Sequence, residues 1–281
     1  MSLSAGIITP IVTLNPRAHN AWEETAGLDE LVAVAETADR LGYHHLTCSE
    51  HVAVPIEAAT TRGARYWDPA ATLGYLAACT TRIKLATHVL VLGYHHPLEL
   101  VKRYGTLDVL SGGRLILGVG VGSLEEEFDL LGATFADRGR RADDSLRTLR
   151  RAFGQNEFEG FIVDPAGEQA PPPLWIGGRT ARSLRRAVEL GDGWVPFGLP
   201  MDDVADMLRR AHDTAAWSAR EQALDIVLWP ERAVDPLHDL EAFRDNVARA
   251  HAAGATIVNL RFASKSVQHH LELMEAALAA K

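Results

Sequence analysis

Cysteine is almost missing from this sequence: Cys48 and Cys79 are the two thiols among 281 residues. Two thiols cannot build a disulfide framework, and they form no C-x-x-C pair for zinc or redox exchange, so both read as buried thiols of a reducing compartment. Lysine is scarce too, with four against 24 arginines, and the 28 basic residues fall short of the 37 acidic ones, leaving a net charge of −9. A field of that sign does not favour a polyanion such as a nucleic acid. No apolar run approaches the ~20 residues that span a bilayer, and the start of the chain shows neither a basic n-region nor an apolar h-region. The expectation is a soluble, cytoplasmic protein with no membrane or nucleic-acid partner. There is no G-x-S-x-G elbow, and neither cysteine has an evident catalytic partner, which argues against nucleophilic hydrolysis.

What is present is a chain 47% hydrophobic and 23% charged, a balance that excludes disorder and suits one large core. At ~150 residues per domain the length suggests two domains, but a closed α/β barrel of ~250 residues fits it equally. Patterning decides between them. Short β-branched apolar runs at 7–13, 44–48, 83–91, 115–119, 174–176, 193–196, 224–228 and 256–260 read as strands. Segments of helical period lie between them at 28–41, 69–78, 97–110, 145–153, 180–190, 202–216, 237–252 and 267–279, two of them opening on Pro69 and Pro97, where a first-turn N–H needs no partner. Eight strands alternating with eight helices predict an α/β fold of the (β/α)8 TIM-barrel type, one domain over 1–281. The Gly- and Pro-rich stretch 154–173 interrupts the rhythm before strand five. It reads as an insertion, of the kind that serves as a lid or a subunit contact.

Active sites of such barrels lie just past the C-terminal ends of the strands. Strand two delivers Ser49, Glu50 and His51, a histidine beside a carboxylate that can be a proton donor or acceptor near neutral pH, although a structural ring fits the pattern about as well. Strand three ends at Thr87, His88 and Val89. Strand four runs into Gly118, Gly120, Val121, Gly122 and Ser123, whose glycines lack the last member of a dinucleotide fingerprint and suit the approach of a flat ligand to the backbone. After strand five, Gly177, Gly178, Arg179 and Thr180 precede a helix and read either as a phosphate-binding turn or as a tight turn with Thr180 as N-cap. Trp194 and Phe197, past strand six, are candidates for a pocket wall, whereas Trp67, Trp175 and Trp229 read as core. The arginine groups at 138, 140 and 141 and at 182, 185 and 186 read as solvated helix faces. A catalytic metal would need His and acidic ligands converging from several strand ends; strand one offers none, and the adjacent pairs His44-His45 and His95-His96 would face opposite ways on a strand. No metal is expected.

Taken together, Pro97-Leu98-Glu99-Leu100, Gly105-Thr106-Leu107-Asp108-Val109-Leu110-Ser111-Gly112-Gly113-Arg114 and Leu115-Ile116-Leu117-Gly118-Val119-Gly120-Val121-Gly122 resemble the luciferase-like monooxygenase superfamily, and specifically its coenzyme F420-dependent branch. Ser49-Glu50-His51, Glu125-Glu126-Glu127-Phe128, Arg138-Gly139-Arg140-Arg141 and Pro173-Leu174-Trp175-Ile176-Gly177-Gly178 support the resemblance. It implies a flavin-type ring in the barrel mouth with His51 facing its reactive edge and exchanging a proton, and Glu50 touching the cofactor head. It also implies a non-prolyl cis peptide at His88-Val89 forming a bulge behind the ring, Val121 beside the ring, and a phosphate held at Gly177 and Gly178 with Arg179. The segment 111–114 would be structural, at the barrel bottom. Two departures matter. Ser123 and Pro55 stand where the sugar-phosphate dehydrogenase subgroup has a glutamate acid and a tryptophan, which makes glucose 6-phosphate a poor guess. Ser123 joins Trp194 and Phe197 as a candidate for the substrate pocket, and neither Glu125 nor Glu126 can be assigned to the site. The resemblance implies an F420-dependent oxidoreductase that moves a hydride between the deazaflavin C5 and a small organic substrate. The alternatives are an FMN-dependent monooxygenase fed by a separate cofactor reductase, a flavin-binding barrel without turnover and, more remotely, a metal-dependent hydrolase. A homodimer is the expected assembly.

Overall fold

The computed structural model describes residues 4–168 and 171–280. Eight parallel strands form the barrel: β1 (Ala5–Ile7), β2 (His45–Cys48), β3 (Lys84–Thr87, resumed at Leu90–Val91), β4 (Leu115–Gly120), β5 (Leu174–Gly177), β6 (Gly193–Val195), β7 (Asp225–Leu228) and β8 (Ile257–Leu260). The strands follow one another around the sheet, and it closes on both flanks of β1 and β3: Ile7 pairs with Leu46 on one side and Leu260 on the other, and Leu85 pairs with Leu46 and Leu115. Eight main helices cover it: α1 (Leu28–Leu41), α2 (Pro69–Cys79), α3 (Pro97–Ser111), α4 (Arg138–Ala152), α5 (Ala181–Leu190), α6 (Met201–His212), α7 (Leu240–Ala252) and α8 (Val267–Ala279). The chain is an α/β barrel, as its alternating pattern predicts.

Local chemistry fixes the element ends. Asp68 caps α2 by accepting from the Ala71 N–H at 2.8 Å, and Pro69 then opens the helix without an orphaned donor. Ala86, Ile116, Trp175, Val195, Val227 and Ile257, one from each of β3 to β8, fill the barrel axis. Trp175 is wholly buried, and its indole N–H reaches Asp225 Oδ2 at 3.1 Å, a partner that a buried donor requires. Gly193 makes room for it: a Cβ there would stand 2.3 Å from the indole. At the base, Arg114 donates to the carbonyls of Ala77, Thr80, Ile83 and Ser111, so the turn 111–114 is structural.

Several boundaries differ from the sequence pattern. The apolar run at 7–13 is strand only to Ile7; beyond it Ile11 adopts a φ of 76°, its N–H goes to Glu23 Oε2, and the segment becomes a loop over the barrel mouth. The third strand is interrupted at His88-Val89, whose peptide bond is cis. Helix α4 begins at Arg138 rather than 145, because Ala142 extends the buried stripe of Leu146, Leu149 and Ala152 by one turn. Short helices at Ile56–Arg62, Glu125–Leu130 and Ala215–Ser218 are additional. The inserted stretch carries a small hairpin, Glu157–Phe158 with Phe161–Ile162. Its next residues pack on α3, where the Ala166 backbone lies so close to Gly105 that a Cβ would meet it at 2.5 Å, and the Glu168 N–H donates to Asp108 Oδ2 at 3.0 Å. No described residue of 154–173 is among those lining the cavity at the barrel mouth; residues 169 and 170 lie outside the described residues.

Both thiols are free, but only Cys48 is buried, with its thiol pushed up to about 12 by desolvation; Cys79 is half-buried. The arginine groups divide as well: Arg186 is buried on Asp143 and the Gly139 carbonyl, and Arg138 lies over the Phe135 ring at 3.7 Å. No helix among the described residues is long and apolar enough to cross a membrane.

Candidate active site

A cavity of about 370 Å³ opens at the C-terminal ends of the strands, a size ordinary for small-molecule sites. Every strand contributes to it. The loop after β1 supplies Thr9 and Val12, β2 leads to Glu50 and His51, and β3 to His88 and Val89. Beyond them lie Val121 and Ser123, Gly177 and Gly178, Val195 and Phe197, Trp229, and Arg261.

His51 is held by a carboxylate from the far side of the cavity mouth. Its Nδ1 lies 2.6 Å from Glu127 Oε2, on the short helix Glu125–Leu130, and the same oxygen accepts the Tyr94 hydroxyl at 2.7 Å. The other oxygen accepts the N–H groups of Val52 and Ala53 at 2.7 and 3.2 Å. Four donors therefore surround one buried carboxylate. Burial alone would raise its pKa, but the hydrogen bonds from His51 and Tyr94 outweigh burial and hold it below the usual glutamate value. An ionised carboxylate only accepts, so the proton between the two sits on His51 Nδ1 and Nε2 is left for the cavity. Tyr66 fixes the ring from the side, edge to face at 4.6 Å. The sequence pattern placed Glu125 and Glu126 in question and passed over Glu127. Helical phase selects it, because Glu127 and Phe128 are the buried pair of that turn.

Glu50 lines the cavity but is already engaged: Oε2 accepts the Val91 N–H and Oε1 meets His95 Nε2, both at 2.7 Å. It anchors the interrupted strand. The cis bond turns Val89 into a cradle of three glycines, where a Cβ on Gly118 would strike the Thr87 carbonyl at 2.0 Å and one on Gly120 or Gly177 would meet Val89 at 2.9 Å. Gly118 and Gly120 of β4 and Gly177 of β5 are thus required by packing against the bulge at 87–89. His88 lines the cavity too, its ring neutral because desolvation lowers it to about 4.

The turn after β5 divides. Gly177 and Gly178 line the cavity, while Thr180 caps α5 by accepting from the Ser183 N–H at 3.3 Å. Arg179 is exposed outside the cavity wall, 5.9 Å from the Phe197 ring. Trp194 is a correction to the sequence reading: it is fully buried behind β6, its N–H on Ser183 Oγ at 3.2 Å, because the pleat that aims Val195 inward aims Trp194 at the helices. Trp229 is the converse, a cavity residue that read as core. Ser123 lines the mouth and accepts from Arg62 at 3.1 Å. His44 and His45, expected to diverge, meet Nδ1 to Nδ1 at 2.9 Å, since His44 sits in the turn before β2 where strand alternation does not apply. No group of three His, Cys, Asp or Glu able to hold a metal ion occurs among the described residues.

The sequence model of the luciferase-like monooxygenase family matches residues 9–280. The chain belongs to that family. Its members are oxidoreductases, and the barrel and cavity above are the luciferase-like frame. The chain is 29% identical over 272 residues to the 4-hydroxyprotoasukamycin monooxygenase of Streptomyces nodosus subsp. asukaensis, covering 80% of this chain and 71% of that one. Two solved structures share its fold: an F420-dependent secondary alcohol dehydrogenase in complex with an F420-acetone adduct (15% identity, TM-score 0.68, covering 100% and 98% of the two chains) and the oxygenating component of 3,6-diketocamphane monooxygenase of Pseudomonas putida in complex with FMN (14%, TM-score 0.69, 100% and 98%). The luciferase-like cavity of this chain suits a flat redox ring on its own evidence: an apolar bulge at Val89, flanking glycines that admit no side chain, and buried polar atoms without protein partners at Trp229 and His88.

Proposed function

We propose that this luciferase-like enzyme binds coenzyme F420 over the Val89 bulge and catalyses hydride transfer between the deazaflavin C5 and a small organic substrate. The observation that carries the reading is the His51–Glu127 pair, which leaves His51 Nε2 as the one proton-exchanging atom oriented by a buried carboxylate at the cavity. When bound, the deazaflavin supplies a two-electron hydride donor or acceptor. The protein's residues supply the rest. In the oxidising direction His51 Nε2 would take the hydroxyl proton of the substrate carbinol. Glu127 stabilises the resulting imidazolium through Nδ1, and Tyr94 keeps Glu127 oriented. Reduction runs the same proton back. Gly177 and Gly178 would take the cofactor phosphate, and Ser123 and Phe197 border the substrate.

A second reading is favoured by the similarity to a monooxygenase at 29% identity: an FMN-dependent oxygenase receiving reduced flavin from a partner reductase, with His51 again the proton donor. Titration of the purified protein with F420 and with FMN, followed by absorbance, separates the two. F420 binding in the micromolar range is the expected result; binding of FMN alone overturns the hydride-transfer reading in favour of the oxygenase.

A further inference from the structure

The wall of the cavity after β7 and β8 has polar groups that nothing in the protein satisfies. Arg261, immediately after β8, lines the cavity half-buried, and its guanidinium makes no hydrogen bond or ion pair among the described residues. Trp229, after β7, has a buried indole N–H without an acceptor. His270 of α8 is 2% exposed, lines the same cavity and has an unpartnered Nε2. Its other nitrogen is engaged: His270 Nδ1 lies 3.0 Å from Ser264 Oγ, which also accepts the Trp22 indole N–H at 2.9 Å. Burial lowers His270 to about 4, so the ring is neutral at pH 7 with Nε2 free to bind a ligand. The cavity lining after β7 and β8 thus includes a cation, an indole N–H and an imidazole nitrogen, none with a hydrogen-bond partner among the described residues.

The cavity carboxylates make no hydrogen bond to Arg261, although the charge of Glu23 acts on it from nearby. Glu23 is the one nearest in sequence to the β1 loop, and it accepts from the Asn20 N–H and Asn20 Nδ2 at 2.8 and 2.7 Å and from the Ile11 N–H at 3.1 Å. Glu50 and Glu127 are occupied as described. A partly desolvated guanidinium without a hydrogen-bond acceptor is costly even with a carboxylate charge nearby, and the matching ligand is a planar anion that takes two of its N–H groups at once. The glycine turn assigned to the cofactor phosphate follows β5, three strands away around the barrel, so the two anion sites lie on different flanks of the mouth.

We propose that Arg261, with Trp229 and His270, forms a carboxylate subsite, and that the substrates of this enzyme are small organic acids held by their carboxylate at the β7–β8 wall. The proposal rests on the cavity being the catalytic site and deepens that reading by naming a substrate class. Benzoate and its neutral counterpart benzamide are suitable probes, followed by calorimetry and by quenching of tryptophan fluorescence. The wild type should bind benzoate at least tenfold more tightly than benzamide. R261Q should bring the two within about twofold, keep the wild-type circular dichroism and bind F420 or FMN within threefold of the wild type, and W229F should weaken benzoate about threefold with the wild-type circular dichroism kept. Equal affinity of benzoate and benzamide for the wild type overturns the proposal, as does a preference that survives R261Q. A tenfold loss of cofactor affinity in R261Q with the benzoate preference intact would reassign Arg261 to the cofactor tail. If neither cofactor binds the wild type while the benzoate preference stands and depends on Arg261, the redox reading fails and the subsite is upheld.

Discussion

Two flanks of one cavity use their polar groups in opposite ways. On the His51 flank the carboxylates of Glu127 and Glu50 have filled both oxygens with protein donors. On the Arg261 flank polar nitrogens of Arg261, Trp229 and His270 are unfilled. A saturated network in a low-dielectric site is rigid, because breaking any member leaves a buried polar group unpaired. An unfilled one gains its partner only when a ligand arrives. The first flank is thus built to hold chemistry in place and the second to select what is brought to it.

Substitutions can break this comparison, and the largest effect is expected at His51. H51A should lower kcat for any substrate by at least 100-fold, as general acid–base groups commonly do, while cofactor affinity measured by titration changes less than fivefold. Unchanged turnover would remove His51 from proton transfer. E127Q keeps the shape but supplies an amide in place of the anion, and a ten- to 100-fold fall in kcat is expected, with KM little changed. The same variant sharpens the argument through stability. Folded Glu127 titrates below the usual glutamate value, so its contribution is complete above that value and is lost as pH falls through the folded one. The unfolding midpoints of wild type and E127Q should therefore differ at pH 7 and converge in acid; equal midpoints at pH 7 would show that the carboxylate is not held ionised. Y94F removes one of four donors to Glu127 and should cost about three- to tenfold in kcat, read in the same assay. W194F, outside the cavity, should leave kcat within twofold while lowering stability by about 1 kcal/mol through the lost bond to Ser183, measured by denaturant unfolding.

The barrel was legible because its strands and helices differ in hydrophobic period, and eight alternations leave few architectures. The place of His51 was legible because strand ends carry the site in this fold. What was hidden depended on phase or on distance along the chain. Three consecutive glutamates at 125–127 are equivalent in sequence, and only the rotation of a one-turn helix turns Glu127 inward. Trp194 and Val195 exchange faces on a three-residue strand if the frame moves by one, so the aromatic drew attention and the valine reached the cavity. The run 7–13 has strand composition throughout, yet the carboxylate of Glu23, placed by a turn of helix further on, takes the Ile11 N–H out of the sheet. Arg261 and His270 give no local signal at all. One arginine among 24 becomes conspicuous only when the fold places its guanidinium at the cavity without a hydrogen bond among the described residues.

The most direct test is a crystal structure of the protein soaked with F420. The deazaflavin ring should lie against Val89 with its reactive edge turned toward His51 Nε2 and the Glu127 hydrogen bond intact. A ring seated elsewhere in the barrel mouth, or a His51 swung away from Glu127 in the complex, would contradict the account.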